Sequence, residues 1–127
     1  SIAAAVLLVL WTGAYAAGNM RFTRPEGETL TVALVQGAVP QDLKYDPRQL
    51  EPTLRLYREL TEQAAGNDLI VWPEAAIPVL YDDIAGYLAD IANSAAAHGS
   101  TVVLGVLTGT YEDFENSLIA LTDEPQV

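Results

Sequence analysis

Cysteine is absent from this 127-residue chain, and lysine and histidine occur once each, as Lys44 and His98. Without a thiol, the chain can build no disulfide bond, thiolate metal site or cysteine nucleophile from its own residues. Positive charge is also scarce, because 6 Lys and Arg face 17 Asp and Glu for a net charge of -11. A surface this acidic repels nucleic acid phosphates, so we do not expect a nucleic acid partner.

The first 18 residues carry no charge at all. As a helix they would be about 27 Å long, close to the ~30 Å thickness of bilayer hydrocarbon. Trp11 and Tyr15 lie towards the later end of this segment, where amphipathic rings suit the level of the lipid headgroups. The pattern predicts a transmembrane helix over residues 1–18, followed by a polar linker over residues 19–29 and a domain over residues 30–127.

Two other interpretations of the apolar segment remain open. A signal peptide would explain the small-residue pattern Ala14-Tyr15-Ala16, although no positively charged start precedes it. A buried helix of a soluble protein is disfavoured because the segment has no polar face. Arg21 and Arg24 follow directly and, by the positive-inside rule, hint that this end faces the cytoplasm.

Strand and helix patterns alternate from residue 30 onward. Apolar, β-branched runs predict strands at residues 30–36, 68–72, 101–107 and 117–122. Asp46 and Pro47 could cap and open a helix. Pro52 would then lie too far inside that helix, so we expect the regular helix to begin near Glu51. Gly66 is expected to end it. A second amphipathic helix is predicted over residues 84–95, closed by Gly99. This alternation indicates an α/β layered fold.

Glu74 stands at the end of the second predicted strand, between Pro73 and Pro78. An unpaired carboxylate has no place in a core, because its desolvation costs several kcal/mol. In α/β sheets, functional groups gather at the carboxyl ends of strands, so the position suits a catalytic residue. We expect Trp72 and the two prolines to withdraw Glu74 from water. The alternatives are a carboxylate that caps the following turn or one that simply faces solvent.

Four sequence segments then point to a known family. They are VALVQG at residues 32–37, VPQDLKYD at 39–46, DLIVWPEAAIP at 68–78 and NSLIAL at 116–121. Together they resemble the carbon-nitrogen hydrolase (nitrilase) superfamily and, within it, the bacterial apolipoprotein N-acyltransferases. The resemblance covers residues 31–121 and implies the first part of a nitrilase-like α-β-β-α sandwich after a membrane helix.

The resemblance implies transfer of a phospholipid acyl chain to the amino group of the diacylglyceryl-cysteine of an apolipoprotein. It places the domain on the periplasmic face of the bacterial inner membrane, against the hint from Arg21 and Arg24, and implies no cofactor or metal. In the family a Glu, a Lys and a Cys form the catalytic set, and its Glu, the general base, corresponds to Glu74. A carboxylate can take the proton of a thiol and later return it to the leaving group.

This chain departs from that set at two points. It has no cysteine, and Lys44 precedes Glu74, whereas the family's Lys and Cys both follow the Glu. Lys44 is therefore not the catalytic lysine, and the sequence is interpreted as a fragment that holds one catalytic residue of three. We expect such a fragment to be inactive alone.

Other residues are weaker candidates. Tyr45 corresponds to a family aromatic residue in a loop over the active site, and lines either the acyl entrance or an exposed turn. Trp72 is a candidate substrate contact, although strand packing explains it better. Asn116 matches a family asparagine and is expected to make a structural hydrogen bond. His98 suits a helix end, and the acidic residues Glu112, Asp113 and Glu115 suit a solvated loop better than a cation site.

Two other functions remain open. A soluble amidase or nitrilase of the same superfamily would lack the predicted membrane helix. A secreted acidic binding domain, released by cleavage after Ala16, would use Glu74 only as a turn residue.

Overall fold

The computed structural model describes residues 1–40 and 42–122, which form three α-helices and one four-stranded sheet. Gln41 and residues 123–127, the end of the predicted domain, lie outside the described residues. The helices are α1 (Ile2–Gly18), α2 (Leu50–Gln63) and α3 (Ala85–Ala96). The strands are β1 (Val32–Leu34), β2 (Leu69–Val71), β3 (Thr101–Gly109) and β4 (Phe114–Leu121).

The sheet follows the order of the chain. β1, β2 and β3 are parallel neighbours, and β4 is antiparallel to β3. Parallel neighbours need a crossover connection, which α2 supplies between β1 and β2 and α3 supplies between β2 and β3. The predicted α/β fold with alternating strands and helices is confirmed.

The two faces of the sheet differ sharply in exposure. Ile70, Val102, Leu104 and Val106 are buried in the core cluster that also contains the inner faces of α2 and α3. Side chains of the opposite parity point the other way, and there Leu34 is 80% and Leu118 75% exposed. We call this second surface the open face. The strand register aligns the side chains of this face in rows that run across the strands. One row consists of Leu34, Val71, Val103 and Ala120.

The start of α2 agrees with the sequence pattern. The carboxylate of Asp46 accepts a hydrogen bond from the backbone N–H of Arg48 at 3.0 Å and caps a 3-10 turn, Pro47–Gln49. The regular helix begins at Leu50, one residue before the predicted position. Pro52 is tolerated because it lies in the first turn, where a backbone N–H has no helical partner.

The hairpin of β3 and β4 is longer than the sequence indicated. β4 starts at Phe114, three positions before the predicted start, because all eight of its residues pair with β3. The turn is closed by the Thr110 N–H, which donates to the Asp113 carbonyl at 2.8 Å. Glu115, predicted to lie in a solvated loop, is therefore a strand residue.

The predicted transmembrane helix over residues 1–18 is not supported. The segment is helical, but α1 has 17 residues, or about 25 Å at ~1.5 Å each. Among the residues described, no helix is both long enough and apolar enough to cross a bilayer. No residue of α1 is buried, so the segment is not a core helix of the described chain either.

Candidate functional site

Glu74 lies on a loop that crosses from the end of β2 onto the open face. The Trp72 N–H still donates to the Val103 carbonyl at 2.9 Å, after which the chain leaves the sheet. It returns at Leu80, which forms an isolated parallel bridge with Leu107 of β3. Residues 73–79, here called the crossover loop, therefore leave the sheet between these two contacts. Glu74 and Ala75 lie against Gly105 on the open face, whereas Ala76 and Ile77 are buried in the core. The turn of this loop requires a left-handed backbone at Ala75, with φ of 44°.

The side chain of Glu74 is exposed. Among the described residues it makes no hydrogen bond and no ion pair. The expectation that Trp72 and the prolines withdraw Glu74 from water is wrong, because Trp72 points into the core while the crossover loop lifts Glu74 onto the other face. Nor does Glu74 cap the following turn. It is a free carboxylate at the carboxyl end of a parallel strand.

Two clefts meet at Glu74. One has a volume of about 350 Å³ and is also lined by Lys44, Tyr45 and Phe114. The other, of about 360 Å³, is lined by Trp72, Gly105 and Leu118. Glu74 and Asn116 belong to both linings. Glu74 therefore lies between two different clefts. The first contains the cation of Lys44 and the rings of Tyr45 and Phe114, and the second lies over strands β3 and β4.

Tyr45 and Lys44 reach the first cleft from the loop before α2. Tyr45 is 66% exposed, and Lys44 is half-buried without an ion pair among the described residues. The loop is fixed at its end by Asp46, whose carboxylate pairs with the Arg48 guanidinium at 2.7 Å. That pairing holds the pKa of Asp46 below its ordinary value. Sequence reasoning rejected Lys44 as the catalytic lysine but did not predict that it faces Glu74 across a cleft.

Trp72 is a core residue that contributes to the site only by lining the second cleft from the core side. It is 2% exposed, and its ring lies 4.8 Å from that of Tyr57, centroid to centroid, at 36°. Its indole N–H donates to the Thr61 hydroxyl at 3.1 Å, which in turn donates to the Tyr57 carbonyl. Burial raises the pKa of Tyr57, and a backbone hydrogen bond from Gly37 opposes that rise. The contacts are those of packing, as the apolar strand pattern favoured.

Asn116 is exposed on β4, opposite Leu107, and it lines both clefts. The side chain makes no hydrogen bond within the described residues, so the structural hydrogen bond expected of it is not present. Its position beside Glu74 makes it a second polar group of the site instead.

Gly105 is the residue of this site that sequence reasoning missed. A Cβ atom built on it would lie 2.9 Å from the Glu74 Cα. The available signal was a single glycine inside an apolar strand pattern, which often marks a close approach of backbone.

His98 and the acidic residues of the hairpin lie outside the clefts. The His98 ring nitrogen Nδ1 is 2.9 Å from the Ser94 carbonyl, near the end of α3, as its helix-end prediction implied. Within residues 1–40 and 42–122, no three His, Cys, Asp or Glu side chains converge in a way that could hold a metal ion.

Comparison with known proteins assigns this arrangement to a family. The model of the carbon-nitrogen hydrolase family matches residues 31–127. An apolipoprotein N-acyltransferase of Shewanella oneidensis is 36% identical over 95% of this chain and 23% of its own length. Those of Pseudomonas syringae pv. tomato and Azotobacter vinelandii are 41% and 43% identical over 83% and 80% of this chain. The chain thus spans only about a fifth of these relatives, 23%, 21% and 20% of their lengths.

Proposed function

The chain belongs to the carbon-nitrogen hydrolase family, and from that membership we propose that it is part of an apolipoprotein N-acyltransferase. Such an enzyme moves an acyl chain from a phospholipid to the amino group of a diacylated apolipoprotein, by way of an acylated cysteine. The relatives from Shewanella oneidensis, Pseudomonas syringae pv. tomato and Azotobacter vinelandii all carry this name, and the match to the family model includes Glu74.

The unpartnered carboxylate of Glu74 carries the proposal. A general base must be free to accept a proton and must face the space that substrate occupies. Glu74 meets both needs, because no described residue binds its oxygens and both clefts open onto it. In the proposed step, Glu74 takes the proton of a cysteine thiol supplied by another part of the enzyme. The thiolate attacks the phospholipid ester, and the proton then passes to the departing alcohol.

We assign the cleft beside Tyr45 to the acyl donor. Tyr45 and Phe114 offer exposed rings, and Leu107 and Pro78 complete an apolar wall suited to an acyl chain. Trp72, the other predicted substrate contact, would support the floor of the neighbouring cleft from the core side. As the family resemblance implies, we place the domain at the periplasmic surface of the bacterial inner membrane. The acceptor is proposed to enter from the same membrane surface.

The exposure of the open face supports our proposal that this chain is part of an α-β-β-α sandwich. An apolar sheet surface with Leu34 and Leu118 largely exposed is unusual in a finished domain. A second sheet packed about 10 Å away would cover it and complete the layers. It would also close the clefts around Glu74, which lies on that same side.

The experiment is Glu74→Gln in a full-length enzyme that carries this sequence. Glutamine keeps the size and hydrogen-bonding capacity of Glu74 but cannot accept the thiol proton. We expect cysteine acylation in single turnover to slow by about 10² to 10⁴-fold. Glu115→Gln is the matched control, because this exposed strand residue lines neither cleft, and its rate should stay within about twofold of the original.

Thermal unfolding of both variants is measured on the same preparations. Removal of an unpaired carboxylate should leave the stability of Glu74→Gln nearly unchanged, since no described contact is lost. A Glu74→Gln variant that acylates its cysteine at the original rate would show that this glutamate is not the base.

A further inference from the structure

We propose that Gly105 is a positioning residue for Glu74, because the missing side chain at this point of β3 sets how far the carboxylate stands above the sheet. The inference deepens the proposed function and rests on it. It concerns a residue in the wall of the second cleft that has no side chain to offer a substrate and acts through the backbone of the crossover loop.

The first support is the contact itself. A Cβ atom on Gly105 would lie 2.9 Å from the Glu74 Cα and 3.3 Å from the Ala75 nitrogen. Both neighbours are backbone atoms, so no side-chain rotation can relieve the overlap. Any larger residue must therefore displace the loop at the position that carries the carboxylate. By contrast, Gly86 of α3 has open space where its Cβ would lie.

The second support is the lack of any other anchor. The Glu74 carboxylate has no hydrogen bond or ion pair among the described residues, so its place depends on the backbone alone. The backbone there is held between the Trp72 hydrogen bond to Val103 and the Leu80 bridge to Leu107. Between these two fixed points, Ala75 adopts its left-handed conformation and Gly105 forms the floor beneath the turn.

The size of the effect follows from the contact distance. Restoring an ordinary contact of 3.4 Å requires a displacement of about half an ångström at the Glu74 Cα. Proton transfer needs hydrogen-bond reach between base and thiol, and a misplacement of about 1 Å can lower a rate by about 10²-fold. Gly105→Ala should therefore slow cysteine acylation by about tenfold or more.

The test is a double-mutant cycle in the full-length enzyme. Gly105→Ala is made in the original background and in Glu74→Gln, and cysteine acylation is followed in single turnover by mass spectrometry. If Gly105 acts through Glu74, the added methyl slows the original enzyme at least about tenfold but leaves the residual rate of Glu74→Gln within about twofold. Gly86→Ala serves as the matched glycine control and should leave both rates unchanged.

Three outcomes would overturn the inference. An equal slowing in both backgrounds would show a general structural role, and no slowing in either would show that the loop tolerates the methyl. A normal rate for Glu74→Gln itself would overturn the proposed function, and the Gly105 inference with it. If Gly105→Ala does not fold, the cycle is repeated with Ala75→Gly in every member. Glycine accepts a wider range of φ, so the turn can then move away from the methyl, and the same expected and contrary outcomes apply.

Discussion

Trp72 and Glu74 are two positions apart but serve opposite sides of the sheet. Residues i and i+2 of a strand share a face, so a continued β2 would have buried Glu74 in the core beside Trp72. Pro73 follows the last strand contact, and the crossover loop then turns onto β3 instead. One short segment thereby supplies both a core anchor and an exposed carboxylate.

Trp72→Phe tests the role of this core anchor. Phenylalanine keeps a ring next to Tyr57 but loses the hydrogen bond to Thr61 and leaves a small cavity. We expect the free energy of unfolding to fall by about 2 kcal/mol. The KM for the phospholipid donor should change little, because Trp72 is 2% exposed. Denaturant unfolding and steady-state kinetics of the full-length enzyme measure the two quantities. A raised KM at unchanged stability would instead identify Trp72 as a substrate contact.

The location of Glu74 was predictable from the sequence, but its surroundings were not. An apolar run that ends in a carboxylate between two prolines is a local pattern, and it correctly marked the carboxyl end of β2. Exposure depends on where the loop goes next, and there its backbone passes against Gly105, which belongs to a later strand of the sheet. Similarly, Lys44 was judged by its order in the sequence, whereas its place in the cleft follows from the tertiary fold.

At the scale of the elements, a side-chain clip joins the starts of β1 and β2. The Asp68 carboxylate accepts hydrogen bonds from the Thr31 backbone N–H at 2.6 Å and from the Thr31 hydroxyl at 2.7 Å. The hydroxyl in turn accepts from the Asp68 N–H at 3.0 Å. The backbone hydrogen bond from Thr31, followed by the one from its hydroxyl, lowers the pKa of Asp68 from its ordinary 3.8.

Asp68→Asn should reduce the loss of stability in acid. Because the pKa of Asp68 is lower in the folded state, its contribution is fully present above the unfolded value of 3.8 and is lost as the pH falls through the folded value. We expect the variant to be less stable at pH ~7 and to lose less stability on going from pH ~5 to ~2. Denaturant unfolding across that range measures both. Glu59→Gln, which removes an exposed carboxylate on α2, is the control and should lose as much stability between pH ~5 and ~2 as the original protein. If Asp68→Asn also lost as much stability as the original protein over this range, the clip would be contradicted.

The elements themselves were predictable where the pattern is local. Asp46, Pro47 and Pro52 define the start of α2 by capping and by the chemistry of proline, and the helix begins within one residue of that position. The start of β4 was missed because Phe114 and Glu115 join the strand through pairing with β3, which no local pattern shows. The membrane helix predicted at residues 1–18 finds no support among the described residues, although the segment is helical as Ile2–Gly18.

At the scale of the whole molecule, the described residues form one covered side and one uncovered side. Helices α2 and α3 protect the core, whereas the open face carries Glu74, both clefts and the exposed Leu118. Under the proposed function, Glu74 would be the one member of the catalytic Glu, Lys and Cys set in this chain, which contains no cysteine. A base without a thiol to activate contributes little to acyl transfer.

The 127-residue chain alone should therefore have no acyltransferase activity. It contains no cysteine, so no thioester can form, and its single lysine precedes Glu74 in the chain. The purified chain is incubated with phospholipid and a diacylated lipopeptide, and triacylated product is measured by mass spectrometry beside a full-length relative as positive control. We expect product only with the relative. Because the clefts at Glu74 are already formed in this chain, product above background here would show that acyl transfer proceeds without the cysteine, and would replace the proposed scheme with direct attack by the lipopeptide amine.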